Sequence, residues 1–173
     1  NTKGSTSTQW DTILFQPSAS RPASYFCDFY IASAFRGDRR ILTYFGYANQ
    51  SVAFMPSNAN ANWQNVSAVT QNTQFNASST VNAQDLLKLT PVPNFAIDGV
   101  RVGMLVNKSD SGARTGATLI QPQGAGSPTA GATVTLQTGQ TQNSDTYPVN
   151  PNGGGNWSSA ILSGSYIGYE CVS

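Results

Sequence analysis

Histidine is absent from this 173-residue chain. Its absence excludes Ser-His-Asp and Cys-His nucleophile systems, imidazole general-base chemistry and imidazole metal sites. Charge is also scarce. Charged residues make up 10% of the sequence, 9 Lys+Arg against 8 Asp+Glu, for a formal net charge of +1, where about 25% is ordinary. With no block of like charge, the chain lacks the electrostatic footprint that draws proteins to phosphate backbones or anionic lipid, so neither nucleic acid nor membrane insertion is expected. No apolar run approaches the ~20 residues that span a bilayer, and Asn1-Thr2-Lys3-Gly4 has no apolar signal-peptide core. Beginning on Asn rather than Met, the chain reads as a mature product or as a domain cut from something longer. There are two cysteines, Cys27 and Cys171, and neither has a second Cys at metal-clip spacing, so no metal and no cofactor is expected. Paired, they would close nearly the whole chain into one loop, stabilising it by roughly 3 to 5 kcal/mol in the chain-entropy model. Unpaired, they would behave as small buried hydrophobes.

What the chain does have is a core and a neutral polar surface. Apolar residues reach 39%, and 8 Phe, 7 Tyr and 3 Trp are spread along the length, a composition that can offset the entropy of folding where a disordered chain cannot. The place of charge is taken by 20 Ser, 17 Thr, 15 Asn and 12 Gln. Residues 1–9 form a Ser/Thr/Gly tail, flexible or packed on a partner, and residues 10–173 read as a single domain without internal repeat. Residues 24–35 (SYFCDFYIASAF) and 41–47 (ILTYFGY) are dense in aromatic and β-branched residues and read as strands joined by the hairpin Arg36-Gly37-Asp38-Arg39-Arg40. Further strands are expected at 51–55, in the alternating stretch opened by Trp63, and at 99–107, 117–121, 132–137, 146–149, 156–162 and 165–172. One short helix is expected near 82–89, with Asn82 as cap and Asp85 in the capping-box position. Many short strands between Gly, Pro and Asn clusters describe an all-β, antiparallel β-sandwich, jelly-roll-like in its simplest form.

Three features carry candidate chemistry. Arg36, Gly37 and Asp38 resemble the integrin-binding tripeptide, which holds a cation and an anion apart on an exposed tip; the same residues also make an ordinary turn. Two loops set an aromatic platform beside amide side chains, Asn60, Asn62 and Trp63 in one and Asn152, Asn156 and Trp157 in the other. Sugar rings stack their C–H faces on indole and bond amides through hydroxyls, so both loops are candidate glycan-binding sites. A tryptophan opening a strand serves equally as a core anchor. Third, carboxylates that could work in pairs on a glycosidic bond exist, but no spacing nominates a pair and no catalytic residue is assigned. Asn107–Gly112 faintly echoes a calcium loop and lacks its carboxylate count, so it reads as a turn.

In composition the chain resembles the neutral, Ser/Thr/Asn-rich β-domains of virus particles and bacterial surface appendages. That likeness concerns environment. Low charge and many neutral polar groups, which let copies pack closely, and long Gly/Pro/Asn loops, which suit exposed tips, lead to the expectation of a non-enzymatic surface protein, a virion capsid or projection domain that assembles with copies of itself and attaches to a host receptor, located on a virion or in the extracellular space. A bacterial adhesin or lectin domain that binds host glycan is the alternative, and a secreted polysaccharide-acting enzyme the second alternative.

Overall fold

In a computed structural model the described residues are 41–67 and 73–173. The chain divides into two units at residues 42 and 43, and the described residues belong almost wholly to the second, Thr43–Ser173. That unit is mostly β, with antiparallel pairing throughout and two short helices, as the turn-punctuated sequence predicts.

The main sheet runs β1 (Gly46–Ser51), β4 (Gln84–Leu89), β10 (Tyr166–Cys171), β6 (Thr115–Gln121) and β7 (Thr129–Ala130), with β8 (Val134–Thr135) also paired to β6. Two ribbons accompany it. One pairs β2 (Met55–Pro56) with β3 (Asn76–Ala77), and the other pairs β5 (Val100–Val106) with β9 (Thr141–Tyr147) in unbroken register from Val100↔Tyr147 to Val106↔Thr141. The expected alternation along β5 holds: Val102 is buried while Arg101 and Gly103 face outward. Period-two burial then sets Asn143, Asp145 and Tyr147 on the same inward face of β9, opposite Met104, Val102 and Val100.

Leu89, Val92, Val102, Ile120, Trp157 and Leu162 form the core between the main sheet and the β5–β9 ribbon, giving this unit a sandwich-like layering. Each such side chain contributes ~1.5–3 kcal/mol by leaving water. Trp157 is an anchor of this core, and its indole N–H donates to the Tyr147 carbonyl at 2.9 Å.

Several expectations are corrected. The strand expected at 41–47 begins only at Gly46, as β1, and 51–55 is no strand of its own, its two ends belonging to β1 and β2. Residues 82–89 are not a helix. Asp85, Leu86, Leu87 and Leu89 are all buried, as on a strand covered on both faces, and β4 is paired along both edges, to β1 and β10. Asn82 caps nothing; at φ 62° it is the left-handed residue of the turn into β4, and its N–H donates to the Cys171 carbonyl at 2.7 Å. The stretch opened by Trp63 begins with helix α1 (Asn62–Ser67) rather than a strand, and within 156–162 the chain enters helix α2 (Ser159–Ser163). Ser158 explains the second change, since its hydroxyl accepts from the Ile161 N–H at 3.2 Å as an N-cap, and Gly164 closes the helix.

Glycine is required at one point in the sheet. A Cβ on Gly168 would collide with the Asp85 carbonyl and crowd the Leu86 Cα, so β10 can lie this close to β4 only without a side chain there.

Candidate functional site

The most developed polar constellation in the unit centres on Asp85, whose side chain is fully buried. Strand β4 turns it toward the segment that links β1 to β2, and there its Oδ1 accepts from the Ala53 N–H at 2.7 Å and the Phe54 N–H at 2.9 Å. Its Oδ2 accepts from the Asn62 amide at 2.6 Å and from the Tyr169 hydroxyl at 2.7 Å. Register places Tyr169 directly across from Asp85 on β10, and the Tyr169 ring meets Phe54 edge-on at 4.9 Å. The Asn76 amide donates to the Tyr169 hydroxyl at 2.6 Å and to the Asn62 carbonyl at 3.0 Å. Asn65 completes the set, donating to the Phe75 carbonyl and to Asn76 Oδ1, both at 3.1 Å, while its own Oδ1 is buried without a partner.

Burial pushes the Tyr169 phenol far above the usual tyrosine range, and the neighbouring Asp85 adds to the shift. Tyr169 therefore stays a donor at ordinary pH, matching its role between Asp85 and Asn76. Four donors on one carboxylate leave it no open valence for a substrate. The constellation is a clamp: it fastens α1, β2 and β3 onto the sheet through β4 and β10.

A smaller polar contact joins β6 to β9. Asp145 accepts from the Thr118 hydroxyl at 2.6 Å and the Ala132 N–H at 2.9 Å, and a Cβ on Gly131 would run into both side chains. Burial raises the Tyr147 phenol, against an opposing contact with the Thr118 hydroxyl and with the charge of Asp145 adding to the rise; Asn143 Nδ2, on the same face, is buried and unpartnered.

The residues singled out as glycan contacts are divided by the structure. Asn62 is buried inside the Asp85 clamp and Trp157 inside the core, so neither presents a face to a ring. Trp63 is half-buried on α1, its N–H donating to Asn49 Oδ1 at 3.0 Å, and Asn60 is half-buried beside it. Asn152 and Asn156 are exposed in a loop clasped by Asn150, which accepts from the Asn152 N–H through Oδ1 and from the Gly154 N–H through its carbonyl. Arg36, Gly37 and Asp38 lie outside the described residues, as does Cys27. Cys171 is a half-buried free thiol at the end of β10.

The carboxylates are scattered over separate tasks. Asp110 holds Arg114 at 2.8 Å on the surface, and hydrogen bonding with that guanidinium keeps its carboxyl below the usual range. Its loop closes on itself, with the Lys108 ammonium donating to the Gly112 carbonyl at 2.6 Å, and forms the expected turn. Glu170 sits on the strand position next to Tyr169 and so points to the opposite face of the sheet from Asp85. Among the described residues no three of His, Cys, Asp and Glu gather as metal ligands, and no helix is long and apolar enough to cross a membrane.

The sequence hides the clamp because Asp85 reads locally as a capping residue, whereas its partners lie 23 to 84 positions away. The asparagines of 58–76 read as loop polarity rather than as inward donors.

The largest unspent feature is apolar. Nine of the twelve large hydrophobic side chains exposed among the described residues fall between Ile41 and Val81, including Met55 at 76% and Phe75 at 51% exposure. No family model, curated protein or solved structure matches this chain, so these residues and their geometry carry the functional reading.

Proposed function

We propose that this protein is a non-enzymatic assembly and attachment protein, a virion capsid or projection domain with a jelly-roll-like sandwich that packs against neighbouring subunits and meets a host receptor. The observation that carries the reading is the crowding of exposed apolar side chains into residues 41–81. Singly exposed hydrophobics are ordinary, and this concentration of them along one stretch of the chain supports a contact role. A surface with little charge supports the same reading, because copies can pack closely without desolvating ions.

Light scattering over a range of concentrations tests it. A trimer or larger closed assembly is the expected result, and a strict monomer at every concentration would overturn the reading.

A second reading, a glycan-binding adhesin domain, draws support from Trp63, whose half-exposed indole stands on α1 near Asn60. A glycan screen in which Trp63→Ala abolishes binding while the fold persists would favour it.

A further inference from the structure

We infer that Asn152 is a site of self-modification, at which the Gly153 backbone nitrogen displaces ammonia from the Asn152 side chain and water then opens the product to aspartate or isoaspartate. The inference is independent of the assembly reading.

Sequence narrows the choice. Of the chain's 15 asparagines only Asn152 precedes a glycine. Ring closure requires the following peptide to swing its nitrogen onto the asparagine Cγ, and a Cβ on the next residue obstructs that swing, which glycine leaves free. Asn49, Asn107 and Asn156 are exposed too, but Gln50, Lys108 and Trp157 follow them, while Asn62 and Asn65 are buried.

The fold supplies the other conditions. Asn152 and the three glycines after it are exposed at the apex of their loop. The base of the loop is closed by the Asn150 N–H, which donates to the Gly155 carbonyl at 2.8 Å, and by the Gly154 N–H, which donates to the Asn150 carbonyl at 2.9 Å. Between these bonds the Gly153 N–H, the attacking group, donates to none of the described residues, so it gives up no acceptor before it attacks. A Cβ placed on Gly153, Gly154 or Gly155 would meet nothing within 4 Å, and the backbone there has room to turn.

The Gly153 nitrogen loses its proton to solvent base and bonds to Asn152 Cγ. The Cγ–Nδ2 bond breaks, and Nδ2 takes a proton from solvent and leaves as ammonia. Water then adds to the cyclic succinimide. Breaking the ring bond to Cγ gives aspartate, and breaking the ring bond to the backbone carbonyl carbon gives isoaspartate. Either product adds a carboxylate that cancels the formal net charge of +1. Isoaspartate also lengthens the main chain inside the clasp, where Gly154 meets Asn150.

The test holds the full chain at neutral and at mildly alkaline pH, folded and in urea. Peptide mass spectrometry locates the acid, and labelling by protein isoaspartyl methyltransferase separates isoaspartate from aspartate. Asn152 should convert first among the asparagines, faster at the higher pH, and should carry isoaspartate. Freeing the peptide costs no more than one loop hydrogen bond, so the folded rate should lie within about tenfold of the rate in urea. Asn152→Gln, whose longer side chain closes a ring far more slowly, should lose the reaction with the circular dichroism unchanged; Asn152→Ser replaces it if Gln disturbs the spectrum. Conversion of another asparagine first, a folded rate lagging further behind urea, or undiminished labelling of the variant's peptide that spans position 152 would each overturn the inference.

Discussion

Asp85 shows how much one side chain can organise. Replacing it with Ala would leave two backbone N–H groups, the Asn62 amide and the Tyr169 hydroxyl without their acceptor. At ~1–3 kcal/mol for each buried group left unsatisfied, a loss of about 3 kcal/mol or more is expected in urea denaturation, with Asp85→Asn losing less because it keeps one accepting oxygen. Tyr169 supplies a pH dependence. Its folded form holds the phenolic proton above the ordinary value of 10.0, whereas the unfolded form releases it there. The folded state therefore binds more protons above pH 10; stability is intact below that pH and falls as pH rises beyond it. Tyrosinate absorbance followed with circular dichroism should show Tyr169 ionising only as the fold is lost. Ionisation of all seven tyrosines before any change in the fold would contradict the clamp.

Among the elements, β5, β6 and β10 were legible in the sequence because their apolar residues alternate or cluster between turn residues, a pattern that needs no knowledge of partners. Strand β4 was not legible. QDLLKL offers leucines at spacings that suit a helix as well as a buried strand, and only the cover on both faces decides between them. Helix α2 hid for a related reason, its single serine cap being lost among many serines. Two substitutions test these assignments. Asn82→Gly should be tolerated and Asn82→Ala should lose about 1 kcal/mol in thermal melts, the order a left-handed turn residue requires and a helix cap does not. Trp157→Ala should lose about 3–5 kcal/mol as a core deletion, whereas Trp63→Ala, half-exposed on α1, should leave the fold in place. Equal losses would mean that the two tryptophans share one role, against their placement.

At the scale of the whole molecule, composition made the neutral polar character and the β class readable from the start, but not which apolar side chains the fold leaves exposed. Exposure depends on what the fold leaves uncovered, so a run such as residues 41–47 reads the same whether it is core or interface. The five Asn-x-Ser triplets make the same point. Asn65 and Asn76 are committed to the clamp, while Asn49, Asn107 and Asn156 are exposed. If the chain is expressed in a glycosylating host, mass spectrometry of folded protein should find any glycan on those three and none on Asn65 or Asn76. A glycan on Asn65 in a native-like fold would break the proposed network.

The position of β10 has a consequence for how the protein is made. It is the last strand in chain order, yet it lies between β4 and β6, with β4 reaching back to β1 and Tyr169 closing the clamp on residues from 54 to 85. A chain emerging from the ribosome at ~5–20 residues per second cannot assemble this sheet in order of synthesis. Until residues 166–171 emerge, β4 and β6 each lack a neighbour and the asparagines of the clamp lack their tyrosine. The apolar strands made first must wait as exposed edges, the state in which β-rich chains are most open to misassociation. Closure of the main sheet therefore waits for the last of its described strands.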